Sequence, residues 1–157
     1  MRSLPFCAVL LCAAASGTDA TSAADARACA RPWTAGGALG GFAARVRAQP
    51  ARPHVNGRVT WRVTITNLTA QRRRLEFSHP PTVDVDVCAA RRLRYRFTDG
   101  RAYPAVTVPI DFAPRQARTF TLRETRLALR PGTYDAYGYG IVPGSPVGHL
   151  RLRVLSS

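Results

Sequence analysis

From residue 42 onward the chain alternates. Phe42, Ala44 and Val46 interleave with Arg45 and Arg47, a period of two that reads as a strand with one buried face. The pattern is strictest over 58–66, RVTWRVTIT. Val59, Trp61, Val63 and Ile65 share one side, and Arg58, Thr60, Arg62, Thr64 and Thr66 share the other. Alternation of that kind predicts an antiparallel sheet with one wet face, and it makes Trp61 a core residue rather than a ligand platform. The segment 49–57, with two prolines and an Asn-Gly, is a loop, and 67–71 is a turn. Leu75 and Phe77 then point inward until His79-Pro80-Pro81 ends the strand, because proline cannot donate to a ladder.

Residues 82–97 read as a hairpin. Val83, Val85 and Val87 form one face, and Leu93, Tyr95 and Phe97 continue it. Matching the faces sets Val87 against Leu93, Val85 against Tyr95 and Val83 against Phe97, with Ala89-Ala90-Arg91 as a three-residue loop. On the outer face the same register sets Asp86 against Arg94 and Asp84 against Arg96, which favours cross-strand ion pairs over acid–base chemistry. Cys88 falls in phase with these aspartates.

The stretch 101–112 is apolar but irregular, with Pro104 and Pro109, and is expected to be a short edge strand within a long loop. Phe120 and Leu122, Leu127 and Leu129, and finally Leu150, Leu152 and Val154 supply further inward positions. In 130–140, RPGTYDAYGYG, Tyr134 follows a Gly-containing corner, where its hydroxyl can bond back to the backbone and pin a crossover. Tyr137 and Tyr139 lie on the other phase, so a change of the inward side near Ala136 or Gly138, at a bulge, is expected. With no amphipathic helix and about eight short strands spaced about ten residues apart, the fold class is all-β: one antiparallel, immunoglobulin-like sandwich over 42–157.

The first 41 residues do not fit this pattern. Arg2, an apolar run over 4–15 and the small residues Ala13-Ala14-Ala15 read as a signal peptide over 1–20, with Thr18-Asp19-Ala20 as a second cleavage option. The run is too short to span a bilayer, which needs about 20 residues. A lipid anchor at Cys12 is disfavoured by the bulky Leu11 before it. Residues 21–41 are an extended, Ala/Gly-rich lead-in. The expected location is periplasmic or extracellular. Cys7 and Cys12 would leave with the signal, and the remaining Cys29 and Cys88 are expected to pair in an oxidising compartment. Such a bond would contribute about 4 kcal/mol in the chain-entropy model, less any strain. A catalytic thiol or a metal site are rival readings with little support: there is no CxxC, and His54, His79 and His149 are scattered.

The net charge is +14, every basic residue is arginine, and removing 1–20 takes away Arg2 and Asp19 together. A GC-rich genome favours such a composition. The charge admits an anionic partner. No stacking-aromatic motif for nucleic acid is readable, and no nucleophile elbow, catalytic triad, phosphate loop or metal spacing points to an enzyme or a cofactor.

The order of motifs resembles a known family. Val63-Thr64-Ile65-Thr66-Asn67 enters a turn, Leu75-Glu76-Phe77 follows, then Val85-Asp86-Val87, a hairpin and Thr98-Asp99-Gly100. Phe112-Ala113-Pro114, Thr119-Phe120-Thr121-Leu122 and Leu129-Arg130-Pro131-Gly132-Thr133-Tyr134 complete it. Over about 58–141 this is similar to the BsuPI-type intracellular proteinase inhibitor family, a small bacterial β-sandwich. The resemblance implies a non-enzymatic serine proteinase inhibitor with a protease as partner. Two departures stand out: this chain carries an export signal, and its hairpin turn is Ala89-Ala90-Arg91 where the family is often Asp/Gly-rich. No reactive-site motif transfers. The candidate loops are 70–74, 101–109 and 143–146. The alternative reading is a monomeric cell-envelope interaction module without inhibitory activity, since a sandwich alone does not choose between them.

Overall fold

The computed structural model describes Cys29 and residues 40–157. The expected signal peptide over 1–20, and the lead-in over 21–41 apart from Cys29, Gly40 and Gly41, lie outside the described residues.

Among the described residues nine strands follow in order: β1 (Phe42–Gln49), β2 (Val59–Asn67), β3 (Arg73–Phe77), β4 (Val83–Ala89), β5 (Arg92–Arg96), β6 (Val108–Phe112), β7 (Ala117–Glu124), β8 (Gly132–Gly140) and β9 (Val147–Val154). They pair as β1-β2-β7, as β5-β4-β8-β9 and as a ribbon β3-β6, and every strand pair is antiparallel. This is an immunoglobulin-like antiparallel sandwich. Val59, Trp61, Val63 and Ile65 are all buried, as the strict alternation of β2 requires. Trp61 stacks on Tyr95 of β5 with ring centroids 6.4 Å apart, joining the two larger sheets. The ribbon closes the core with Phe77, 5.9 Å from the Phe120 ring, and Phe112, 5.3 Å from the Phe42 ring.

The β4–β5 hairpin differs from the face-matched register. Ala89 pairs with Arg92 across a two-residue turn in which Ala90 and Arg91 both have positive φ, 49° and 60°. That is the turn whose twist suits a hairpin. A two-residue turn here would send Tyr95 and Phe97 to the outer face. One extra residue, Arg94, forms a bulge between the Cys88–Leu93 and Val87–Tyr95 pairs and restores the parity. Leu93 therefore lies beside Cys88 on the outer side, and Asp86 faces Arg96 rather than Arg94.

The outer face of β4 is not wet either. Asp84, Asp86 and Cys88 are as buried as the valines between them. Cys88 is bonded to Cys29, with Cα atoms 6.0 Å apart.

The glycine–tyrosine strand holds one phase throughout. Its register with β4 and β9 is unbroken, so the expected bulge near Ala136 or Gly138 does not exist. Tyr134, Ala136, Gly138 and Gly140 are the inward set. The glycines face inward because β1 and its neighbours come too close for a side chain. A Cβ on Gly138 would lie 2.7 Å from Val46 Cβ, and one on Gly148, its partner in β9, would lie 2.7 Å from the Arg45 backbone. Tyr137 and Tyr139 occupy the opposite face, the latter donating to Asp86 Oδ1 at 3.2 Å. The Tyr134 hydroxyl donates to the Arg130 carbonyl at 2.8 Å, across the corner at Gly132.

Candidate functional site

A protein that blocks a proteinase needs an exposed segment held in one shape. The three candidate loops differ sharply in this respect. The 70–74 loop, whose last two residues already belong to β3, is tied down from below through the turn at Asn67. Asn67 is fully buried, and its amide nitrogen donates to the carbonyls of Gln71 (2.7 Å) and Ala113 (3.0 Å). Its oxygen accepts from the Thr69 backbone and hydroxyl, so Asn67-Leu68-Thr69 is a structural turn. The 143–146 loop exposes only Pro143 and Gly144; its second half turns inward, with Pro146 buried and Ser145 Oγ accepting from the Gly140 N–H at 2.8 Å.

Residues 101–107 are different. They form no regular structure and run exposed from β5 to β6, with only Tyr103 half-buried. Val106 is 52% exposed, one of two large hydrophobic residues so displayed among the described residues, the other being Leu68. Both ends of the loop are nevertheless fixed. At the start, a turn at 98–101 uses Gly100 with φ of 71°, and the Arg101 N–H donates to Thr98 O at 3.1 Å. The Arg101 guanidinium lies over the Phe97 ring at 4.1 Å and donates to Glu124 Oε2 at 2.6 Å. In the middle, Tyr103 stacks on His79 with centroids 5.9 Å apart and planes within 13°. At the end, β6 takes over, paired along one edge with β3 and along the other with no strand among the described residues. An open concavity of about 310 Å³ lies beside the loop, lined by His79, Thr98, Arg101, Tyr103 and Ala105.

Buried acids hold the base of this loop. Asp84 accepts from Thr98 Oγ1 at 2.5 Å, from the Thr98 N–H at 3.3 Å and from its neighbour Val85 N–H at 2.7 Å. Burial dominates and pushes its carboxyl up to about 6, with the Thr98 and Val85 bonds pulling the other way. Asp86 makes a two-pronged pair with Arg96, 2.8 and 3.1 Å, which holds that guanidinium above its ordinary range. Glu124 receives Arg101 and the Tyr95 hydroxyl, the latter at 2.8 Å. Burial opposes its charge, and the two donors outweigh burial and hold it below the usual carboxylate range. Burial, reinforced by Glu124, pushes the Tyr95 phenol up.

The elevated Asp84 carries a pH signature. A folded-state value above the unfolded one means that charged Asp84 costs stability above pH 6, and that the cost vanishes as the pH falls towards 4. From 3.8 to about 6 the difference corresponds to about 3 kcal/mol. Denaturant unfolding between pH 7.5 and 5 should therefore show stability rising on acidification, and Asp84→Asn should flatten that rise. Glu124 acts in the opposite sense, its contribution being lost below pH 4.5.

The family model described as BsuPI, intracellular proteinase inhibitor, matches residues 46–141. The chain belongs to the BsuPI family. The matched span runs from β1 through β8 and includes the 101–107 loop with its anchors. No curated protein sequence matches the chain. Among solved structures, Spo0M, a sporulation control protein from Bacillus subtilis, aligns with a TM-score of 0.50 at 11% identity, over 76% of this chain and 51% of that one. The CARDB domain of a Pyrococcus furiosus protein, solved in complex with di-metal ions, aligns at 0.43 and 13% identity over 74% of this chain and 94% of its own. A β-glucosidase from Erythrobacter marinus aligns at 0.45 and 11% identity, covering 73% of this chain and 15% of the enzyme. At these identities the likeness concerns fold alone.

Of the candidate residues in the sequence, Cys88 sits on the outer side of β4 bonded to Cys29, and Tyr134 sits in the first turn-proximal part of β8, bonded back to the corner at Arg130. None of the three belongs to the loop. Arg101, Tyr103 and Val106 lie within the candidate loop 101–109 and Thr98 within the Thr98-Asp99-Gly100 turn, whereas Glu124 belongs to no candidate segment of the sequence. The available signal was the Thr98-Asp99-Gly100 turn followed by a segment too irregular for a strand. Among the described residues no cluster of His, Cys, Asp or Glu could hold a metal, and no helix is long and apolar enough to cross a membrane.

Proposed function

We propose that this BsuPI-family protein inhibits a serine proteinase outside the cytoplasm, entering the enzyme cleft with residues 101–107. The observation that carries the reading is the loop itself: exposed, anchored by Arg101 and Tyr103, and displaying Val106. A segment held in its bound shape loses little freedom on docking, which favours affinity. The edge of β6 that pairs with no strand among the described residues offers backbone groups for strand addition beside the loop. Val106 would fill an apolar primary pocket. The signal-like residues 1–20 and the Cys29–Cys88 bond support action in an oxidising compartment.

Purified protein titrated against serine proteinases of differing pocket chemistry, with intact mass followed over time, tests this. Saturable inhibition by an uncut chain is expected for an enzyme with an apolar pocket. Val106→Asp should weaken it by about 30-fold or more. Digestion without inhibition across the panel would overturn the reading and favour a cell-envelope interaction module.

A further inference from the structure

The outer face of β1-β2-β7 is a grid of arginines and small polar residues. Across the three strands, Gln49, Thr60 and Arg123 form one row; Arg47, Arg62 and Thr121 the next; Arg45, Thr64 and Thr119 the third; Ala43, Thr66 and Ala117 the last. Arg45, Arg47, Arg62 and Arg123 are all exposed. Arg47 and Arg62 stand directly opposite each other, where side-chain bases are about 5 Å apart and like charges destabilise a sheet. No carboxylate lies on the grid. Among the described residues the ion pairs engage Arg96, Arg101, His149 and Arg151, and none of these four.

We propose that this face docks on an anionic phospholipid surface. Four guanidinium groups with no acid of their own complement a plane of phosphates, and each fork can bond a phosphate through two donors. Other partners fit less well. The grid has no aromatic or large aliphatic residue to anchor a protein interface, and nothing on which bases could stack. It has no apolar wedge to enter the bilayer, so attachment is electrostatic and salt-sensitive. The proposal uses no residue of the 101–107 loop and stands independently of inhibition.

Sedimentation with vesicles tests it. The protein should pellet with phosphatidylcholine vesicles containing phosphatidylglycerol, not with phosphatidylcholine alone, and should be released between about 0.05 and 0.5 M salt. The variant Arg45→Gln/Arg47→Gln/Arg62→Gln/Arg123→Gln should lose about 100-fold or more in binding. The charge-matched variant Arg92→Gln/Arg94→Gln/Arg130→Gln/Arg153→Gln should lose far less. The pair Arg47→Gln/Arg62→Gln alone should give an intermediate loss and melt no lower than the unaltered protein. Equal losses in the two quadruple variants would reduce the effect to net charge and overturn the site. Tighter binding to duplex DNA than to anionic vesicles would overturn the choice of partner.

Discussion

Gly148→Ala should destabilise the protein by about 3 kcal/mol or more, among the largest effects of any single methyl group in this fold. The added carbon would sit 2.7 Å from Arg45 Cα, Arg45 C and Val46 N. These are backbone atoms of a strand whose register with β2 runs over its full length, so β1 cannot yield locally. Gly138→Ala poses a related but softer problem, since its carbon would meet the Val46 side chain at 2.7 Å and Val63 Cγ2 at 3.0 Å. Val46→Ala, which keeps Cβ but removes the Cγ2 that would lie 2.9 Å from the added carbon, should therefore rescue part of Gly138→Ala and little of Gly148→Ala. Chemical denaturation of the single and double variants reads this directly as a coupling. Gly40→Ala, with nothing within 4 Å of the added carbon, is the neutral control.

Cys29→Ser/Cys88→Ser should lower stability by about 4 kcal/mol, because the bond closes a loop with a sequence separation of 59. For a domain of this size that corresponds to a fall of about 10 °C or more in Tm. The bond also ties a segment otherwise remote in sequence to the buried outer side of β4, where Cys88 neighbours Leu93 and Asp135. Reduction of the unaltered protein should reproduce the loss, and thiol titration of unreduced protein processed near residue 21 should find no free thiol. Two reactive thiols in that native protein would overturn the expectation.

Much of the fold was legible because β2 alternates without exception and prolines mark its neighbours' ends. The differences have separate physical causes. Reading a strand as one wet and one dry face presumes that nothing covers the outside. β4 is buried on both faces, so its acids are not surface residues: Asp84 holds the Thr98 backbone and hydroxyl from inside, and Asp86 holds the Arg96 guanidinium. In β8 two of the four inward positions are Gly138 and Gly140, which carry no hydrophobic signal, while Tyr137 and Tyr139 on the other face do. Arg94 was invisible as a bulge because its need arises only from the conflict between a two-residue turn and a matched core face. The candidate loop was recognisable as irregular, but its anchors at Glu124 and His79 come from β7 and from the break after β3, too far along the chain for any local pattern to reveal.

The arrangement of β9 has a consequence for the order of events during synthesis. Leu155 exchanges backbone bonds of 2.9 Å with Pro53 and Val55, and Gly148 is seated against β1. The earliest strand thus finds its support only when residues 147–155 have been made. Until then β1 and β2 can pair with each other but have no completed opposite wall, and long-range antiparallel contacts of this kind form slowly. A nascent chain with this topology stays unfolded late, which is the condition a translocation channel requires of its cargo.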